Sequence, residues 1–146
     1  MGQLQGKVAI ITGAGSGFGE GMAEAYVREG AKVIIADLNA EAGERVAAKL
    51  GANAKAVACD VANQESVVAM VKACVDTFGI PDIVINNAGT THKNQPMLNV
   101  DEKTFDRVFN VNVKSIYFMI HAVVPLMRQR GKGGVILNVG STAGIR

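Results

Sequence analysis

Five short runs of mostly β-branched and small apolar residues alternate with four longer segments of helical spacing, and this alternation narrows the fold more than any other feature. The runs are 8–12, 32–36, 55–59, 82–86 and 135–139. Runs with apolar residues on both faces are the mark of a parallel sheet covered by helices on either side. The first helical segment, 18–29, puts Met22, Tyr26 and Val27 on one side. The second, 39–50, opens on Asn39 as an N-cap and stops at Gly51. The third, 64–78, ends at Gly79 with Pro81 beyond, and the fourth, 101–130, reads as a short helix running into a long one stopped by Gly131. Parallel strands joined by right-handed crossovers predict an α/β, Rossmann-type, doubly wound sheet with strand order 3-2-1-4-5 in one domain over 1–146. In such a sheet ligands bind outside the carboxyl ends of the strands.

What stands at those ends is polar or small. After the first run comes TGAGSGFG at 12–19. It does not fit G-x-G-x-x-G, because the third glycine would fall on Phe18 or Glu20. It fits T-G-x-x-x-G-x-G, with Thr12, Gly13, Gly17 and Gly19. Glycines there let the backbone approach a pyrophosphate, and the following helix start offers free N–H groups and a positive dipole end. A ligand-free glycine turn is the plainer alternative, weakened by the position after a first strand. Asp37 lies 18 residues past Gly19, close to where an acid reaches adenosine ribose hydroxyls. Its carboxylate repels a 2′-phosphate, and Ser16, Leu38 and Asn39 supply no cation to accept one, so NAD is favoured over NADP. Asp60 and Val61 form a turn or an adenine contact, with equal weight. Asn86–Gly89 (NNAG) sets amides beside a close-approaching backbone, or makes an Asx-type turn. Ser141, past the fifth run, would by itself be a turn residue.

Composition removes other classes. The 146 residues are 49% apolar and carry a net charge of +2, with no basic run to focus it, so nucleic acid and anionic membranes are not expected partners. Cys59 and Cys74 sit in apolar surroundings without metal-ligand spacing and read as reduced buried thiols of a cytoplasmic protein, with no metal expected. The first residues lack signal-peptide architecture, and Gly6 stands where myristoylation expects Ser or Thr. The longest apolar stretch, 116–127, is too short to span a bilayer.

Taken in order, TGAGSGFG, Asp37, Asp60-Val61, NNAG, Asn112 within FNVNVKSIYF and Ser141 within NVGSTAG resemble the short-chain dehydrogenase/reductase family along the whole chain. The resemblance is to its bacterial sugar-alcohol, hydroxysteroid and 3-oxoacyl-carrier-protein members. It implies hydride transfer between a nicotinamide and a secondary alcohol or ketone. Gly13, Gly17 and Gly19 would cradle the pyrophosphate, with Ser16 beside them and Phe18 covering the turn. Asp37 and Leu38 would flank the adenosine ribose, and Asp60 with Val61 the adenine. Asn87, Ala88 and Gly89 would line the cofactor, while Asn86 braces the strands. Asn112 would hold a water of the proton relay through its backbone, and Ser141 would hydrogen-bond the reacting oxygen. The long helix resembles the family's paired interface helix, implying a homodimer or homotetramer.

The family's Tyr-x-x-x-Lys pair is missing: four residues after Tyr26 and Tyr117 stand Gly30 and His121. His121 is expected to be a packed or interface histidine, and His92 to have no direct role. The resemblance therefore implies a C-terminally incomplete domain whose general acid/base lies elsewhere, with an apolar fifth strand left uncovered. A catalytically inactive NAD-binding module and an oligomerising structural fragment are the competing expectations.

Overall fold

The computed structural model describes residues 2–144; Met1, Ile145 and Arg146, the ends of the expected domain, lie outside the described residues. Five strands, β1 (Val8–Thr12), β2 (Lys32–Asp37), β3 (Ala54–Ala58), β4 (Ile83–Asn86) and β5 (Val135–Asn138), form one sheet in the order β3-β2-β1-β4-β5. Every pairing is parallel. The register stacks Ile10 beside Ile34 and Val84, and Ile11 beside Ile35 and Ile85. Because successive side chains leave a strand on opposite faces, these two rows seed two cores.

Ile10, Ile34 and Val84 meet Val67, Met70 and Cys74 of α3 (Gln64–Thr77) and Phe118, Met119, Val123 and Met127 of α5 (Ser115–Arg130). Ile11, Ile35 and Ile85 meet Ala23 of α1 (Gly17–Arg28) and Val46 and Ala47 of α2 (Ala40–Leu50). Met22, Tyr26 and Val27 pack against that second core, as their spacing predicts. The buried isoleucines of both rows are fully enclosed, and each contributes about 1.5–3 kcal/mol of apolar burial.

The local signals act where the sequence places them. Asn39 Oδ1 accepts from Ala42 N at 3.0 Å, and Asn63 Oδ1 accepts from Ser66 N at 2.9 Å, opening α2 and α3. Asp101 accepts from Thr104 N at 2.7 Å to start α4 (Glu102–Phe109). Gly131 closes α5 in the left-handed region with φ 77°.

The fourth helical segment is, as expected, a short helix, α4, running into a long one, α5, and the two join through a π-helical turn, Asn110–Lys114. There Ser115 N bonds the Asn110 carbonyl, and the Ser115 hydroxyl takes the Val111 carbonyl at 2.6 Å. The third and fifth runs, read as buried on both faces, are the outer strands of the sheet and only partly covered. Val135, Leu137 and Val139 are accordingly exposed, the apolar edge the sequence predicts.

At the amino edge of the sheet, Arg130 ties several elements together. Its guanidinium meets Asp82 Oδ1 at 3.1 Å and the carbonyls of Ile80 and Gly133 at 2.9 Å each. Asp82 Oδ2 in turn accepts from Val8 N at 2.9 Å. The end of α5 and the starts of β1, β4 and β5 are thereby fixed, which leaves the opposite, carboxyl edge to form a site.

Candidate nucleotide-binding cleft

Thr12, the last residue of β1, is buried, and its hydroxyl organises the carboxyl edge. Oγ1 accepts from Asn87 N and Ala88 N, both at 3.0 Å, and donates to the Ile85 carbonyl at 3.4 Å. The Asn87 side chain answers by donating to the carbonyls of Thr12, at 3.0 Å, and Gly13, at 3.3 Å. The glycine turn after β1 and the NNAG turn after β4 are thus laced into one platform. Gly13 is held there with φ +63°, and an added Cβ would stand 2.9 Å from Ala88 Cα.

Above this platform lies a cleft of about 660 Å³. It is lined by Gly13, Ser16, Gly17, Phe18, Asp37, Leu38, Cys59, Asp60, Val61, Ala62, Asn87, Ala88, Gly89, Thr90, Arg107 and Val111. All the residues predicted to bind cofactor are brought together here except one. Gly19 does not line the cleft; it is buried beneath the turn, where an added Cβ would meet Gly13 O at 2.2 Å and Asn87 Nδ2 at 2.7 Å. Its smallness lets α1 dock against the turn.

The lining fits a dinucleotide's donor and acceptor needs. Ser16 caps α1 without a side-chain hydrogen bond, so the first-turn N–H groups are left for another acceptor. Such a start, with its positive dipole end, suits a phosphate. Phe18 and Leu38 stand 88% and 75% exposed at the mouth, apolar surface of the kind a ligand covers. Asp37 accepts one N–H on each oxygen, from Gly15 at 2.8 Å and Asn39 at 2.9 Å, which leaves lone pairs for hydroxyl donors. Asp60 Oδ1 accepts from Ala62 N at 3.0 Å in an Asx turn, the plainer of its two expected readings, and still lines the cleft.

Asn86 Nδ2 donates to Asn138 Oδ1 at 2.9 Å and so links β4 to β5. Asn112 sits in the π turn, and its side chain, rather than its backbone alone, has a task. Oδ1 accepts from Thr90 N and Nδ2 donates to the Thr90 carbonyl, both at 2.8 Å. Ser141 lies beyond the end of β5, exposed and outside the cleft lining, and its Oγ accepts from Ala143 N at 3.2 Å. Its hydroxyl proton remains free to donate.

Neither histidine lines the cleft. His92 Nδ1 donates to the Lys93 carbonyl at 2.7 Å. His121, expected to be packed or at an interface, is exposed, and its ring lies tilted against Tyr117 with centroids 4.3 Å apart. The sequence reading missed Arg107, which lines the cleft and donates to the Thr91 carbonyl at 3.1 Å. One of two cations on a polar helix, beside Lys103, carries no local signal for that position. Cys59 is buried at the cleft wall, and burial pushes its thiol upward; Cys74, buried in the core, is pushed up to about 12. Among the described residues no cluster of metal-ligating side chains occurs, and no helix is long and apolar enough to cross a membrane.

The fold and cleft define a doubly wound α/β protein with a cleft across the carboxyl ends of its central strands. The model of the short chain dehydrogenase family matches residues 7–146, and the chain belongs to that family. It is 44% identical over 144 residues to a sorbitol dehydrogenase of Cereibacter sphaeroides, covering 99% of this chain and 56% of that protein. It is likewise 44% identical over 144 residues to a galactitol 2-dehydrogenase of Agrobacterium fabrum, with the same coverage of 99% and 56%. Among solved structures, 3-ketoacyl-(acyl-carrier-protein) reductase from Brucella melitensis complexed with NADH is similar at TM-score 0.94 and 46% identity, over 97% of this chain and 60% of that one. The chain therefore spans little more than half the length of the curated relatives it matches.

Proposed function

We propose that this chain carries the cofactor site of an NAD-dependent oxidoreductase acting on a secondary alcohol or ketone. The observation that carries the reading is one cleft joining an uncapped helix start to a carboxylate with free lone pairs. The α1 N–H groups take the pyrophosphate, and Asp37 takes the adenosine ribose hydroxyls and disfavours a 2′-phosphate. Val61 and the Asp60 turn bound the adenine. Asn87, Ala88 and Gly89 present backbone to the nicotinamide half, on a platform Thr12 holds in register. Asn112 fixes Thr90 at the far end of that platform. When bound, the nicotinamide supplies or accepts the hydride at the substrate carbon. Ser141 donates its remaining proton in a hydrogen bond to the substrate oxygen.

Sugar alcohols and 3-oxoacyl thioesters, named for relatives and neighbour, are the substrate classes this reading favours. An exposed ridge of Phe105, Phe109, Val113, Tyr117 and Ile120 supports a homodimer or homotetramer. The unpaired Cys59 and Cys74 support a reducing, cytoplasmic setting.

Calorimetric titration tests the cofactor reading. NAD should bind saturably and more tightly than NADP. Asp37→Ala should weaken NAD on the order of tenfold and narrow the difference from NADP. Unchanged relative affinities would remove Asp37 as the selector, and absence of saturable NAD binding would refute the site.

A further inference from the structure

Gly15 belongs to none of the fingerprint positions, yet the peptide groups on both sides of it are held. Its N–H donates to Asp37 Oδ2 at 2.8 Å, and its carbonyl accepts from Arg45 Nη2 at 2.9 Å. Arg45 lies on α2, well outside any motif. Its guanidinium also forks onto Glu20 of α1, with Nη1 to Oε1 at 3.2 Å and Nη2 to Oε2 at 2.9 Å. Lys49 approaches the same Glu20 carboxylate at 3.6 Å. Gly15 itself is buried, and an added Cβ would press on Asp37 Oδ2 at 2.8 Å and on Ala42 Cβ at 3.0 Å.

A surface ion pair would be worth little, and Arg45 is half-exposed. The bond to the Gly15 carbonyl is different, because it reaches a buried turn through the planar fork that only Arg provides. A Lys at 45 could meet Glu20 or Gly15 O, not both along the same plane. The arginine thus holds the Gly15–Ser16 peptide, and with it the position of Gly15, whose N–H in the preceding Ala14–Gly15 peptide binds the Asp37 carboxylate at the cleft.

We infer that Arg45 is a positioning residue for the nucleotide: through Gly15 it orients Asp37 toward the ribose without touching the ligand. This rests on the nucleotide reading above. It makes cofactor choice depend on a triad spread over β2, the glycine turn and α2, rather than on Asp37 alone.

A double-mutant cycle in the ligand-free and ADP-ribose-titrated protein tests it. Arg45→Met should weaken ADP-ribose on the order of tenfold. Asp37→Asn should also weaken it, and the double variant should bind no worse than Asp37→Asn to within about threefold, because Arg45 acts through that carboxylate. Arg45→Lys should keep the melting temperature of the unaltered protein yet recover only part of the affinity. Binding by Arg45→Met within about twofold of the unaltered protein would overturn the inference, as would losses that multiply in the double variant. If Arg45→Met does not fold, Arg45→Lys decides: full affinity rejects the positioning role, and reduced affinity at unchanged melting temperature supports it. Failure of the unaltered protein to bind ADP-ribose would instead overturn the nucleotide reading, and this inference with it.

Discussion

Gly19 and Gly21 lie two residues apart on α1, and the structure assigns them opposite consequences on gaining a methyl group. At Gly21 an added Cβ meets nothing within 4 Å. Gly21→Ala should therefore show only the helix-propensity gain of roughly 0.5–1 kcal/mol. At Gly19 the same atom would stand 2.2 Å from Gly13 O, 2.8 Å from Gly13 C and 2.7 Å from Asn87 Nδ2. Two of those atoms are backbone, so relief requires α1 to lift away from the turn. Overpacking of this kind costs about 1–3 kcal/mol. Displacing the Asn87 amide from the carbonyls of Thr12 and Gly13 adds roughly 1 kcal/mol per lost bond. Set against the propensity gain, Gly19→Ala should destabilise by about 2–4 kcal/mol. With a urea slope of about 2 kcal/mol/M, its midpoint should fall by roughly 1–2 M while that of Gly21→Ala rises by about 0.3–0.5 M. Urea unfolding followed by far-UV circular dichroism reads both. A Gly19→Ala midpoint at or above that of the unaltered protein would refute the docking argument, and equal losses in both variants would show the effect is not local.

Two further outcomes follow from groups distant from the cleft. Arg130→Met should cost about 2–4 kcal/mol, because it strands Asp82 and frees the carbonyls of Ile80 and Gly133; a urea midpoint within 0.3 M of the unaltered protein, given the same rough slope, would show the amino edge is held otherwise. Cys74 stays a thiol in the folded state up to about 12 but ionises near 9.0 once unfolded, so the unfolded chain holds fewer protons between those values and stability should fall as pH rises through them. Melting temperature against pH for Cys74→Ala should lack that alkaline decline; an identical slope would place its origin elsewhere.

Much of the architecture was legible because the central strands carry their own signal. Val8–Thr12 is buried at every position and apolar at all but Thr12, as a doubly covered strand requires. The outer strands carry similar residues, and nothing local distinguishes an edge from a centre; it was the expected strand order, with no cover for the fifth run, that pointed to an exposed Leu137. At the site, Asp37 and the glycine turn were readable from spacing. The second task of Asp37, holding Gly15, was not, since it depends on a contact across 22 residues that sequence spacing does not encode. Arg107 and Arg45 share that limit: each is one of two cations on its helix, with nothing local to single it out. Gly19 was legible as a required glycine, but packing rather than ligand contact is what requires it.

The π turn at Asn110–Lys114 amounts to one residue wound into an otherwise α-helical rod. Each residue of an α-helix advances the face by about 100°, and the widened turn absorbs its extra residue so that α4 and α5 keep the faces of a shorter, regular helix. Removing a single residue there would restore ideal winding and leave Phe118 and Met119 in the core. What would be lost is the widened turn itself, which sets Asn112 against both polar atoms of Thr90. The segment can therefore change its letters far more readily than its length, and a gap in this region of an aligned relative marks a cleft whose far wall is built differently.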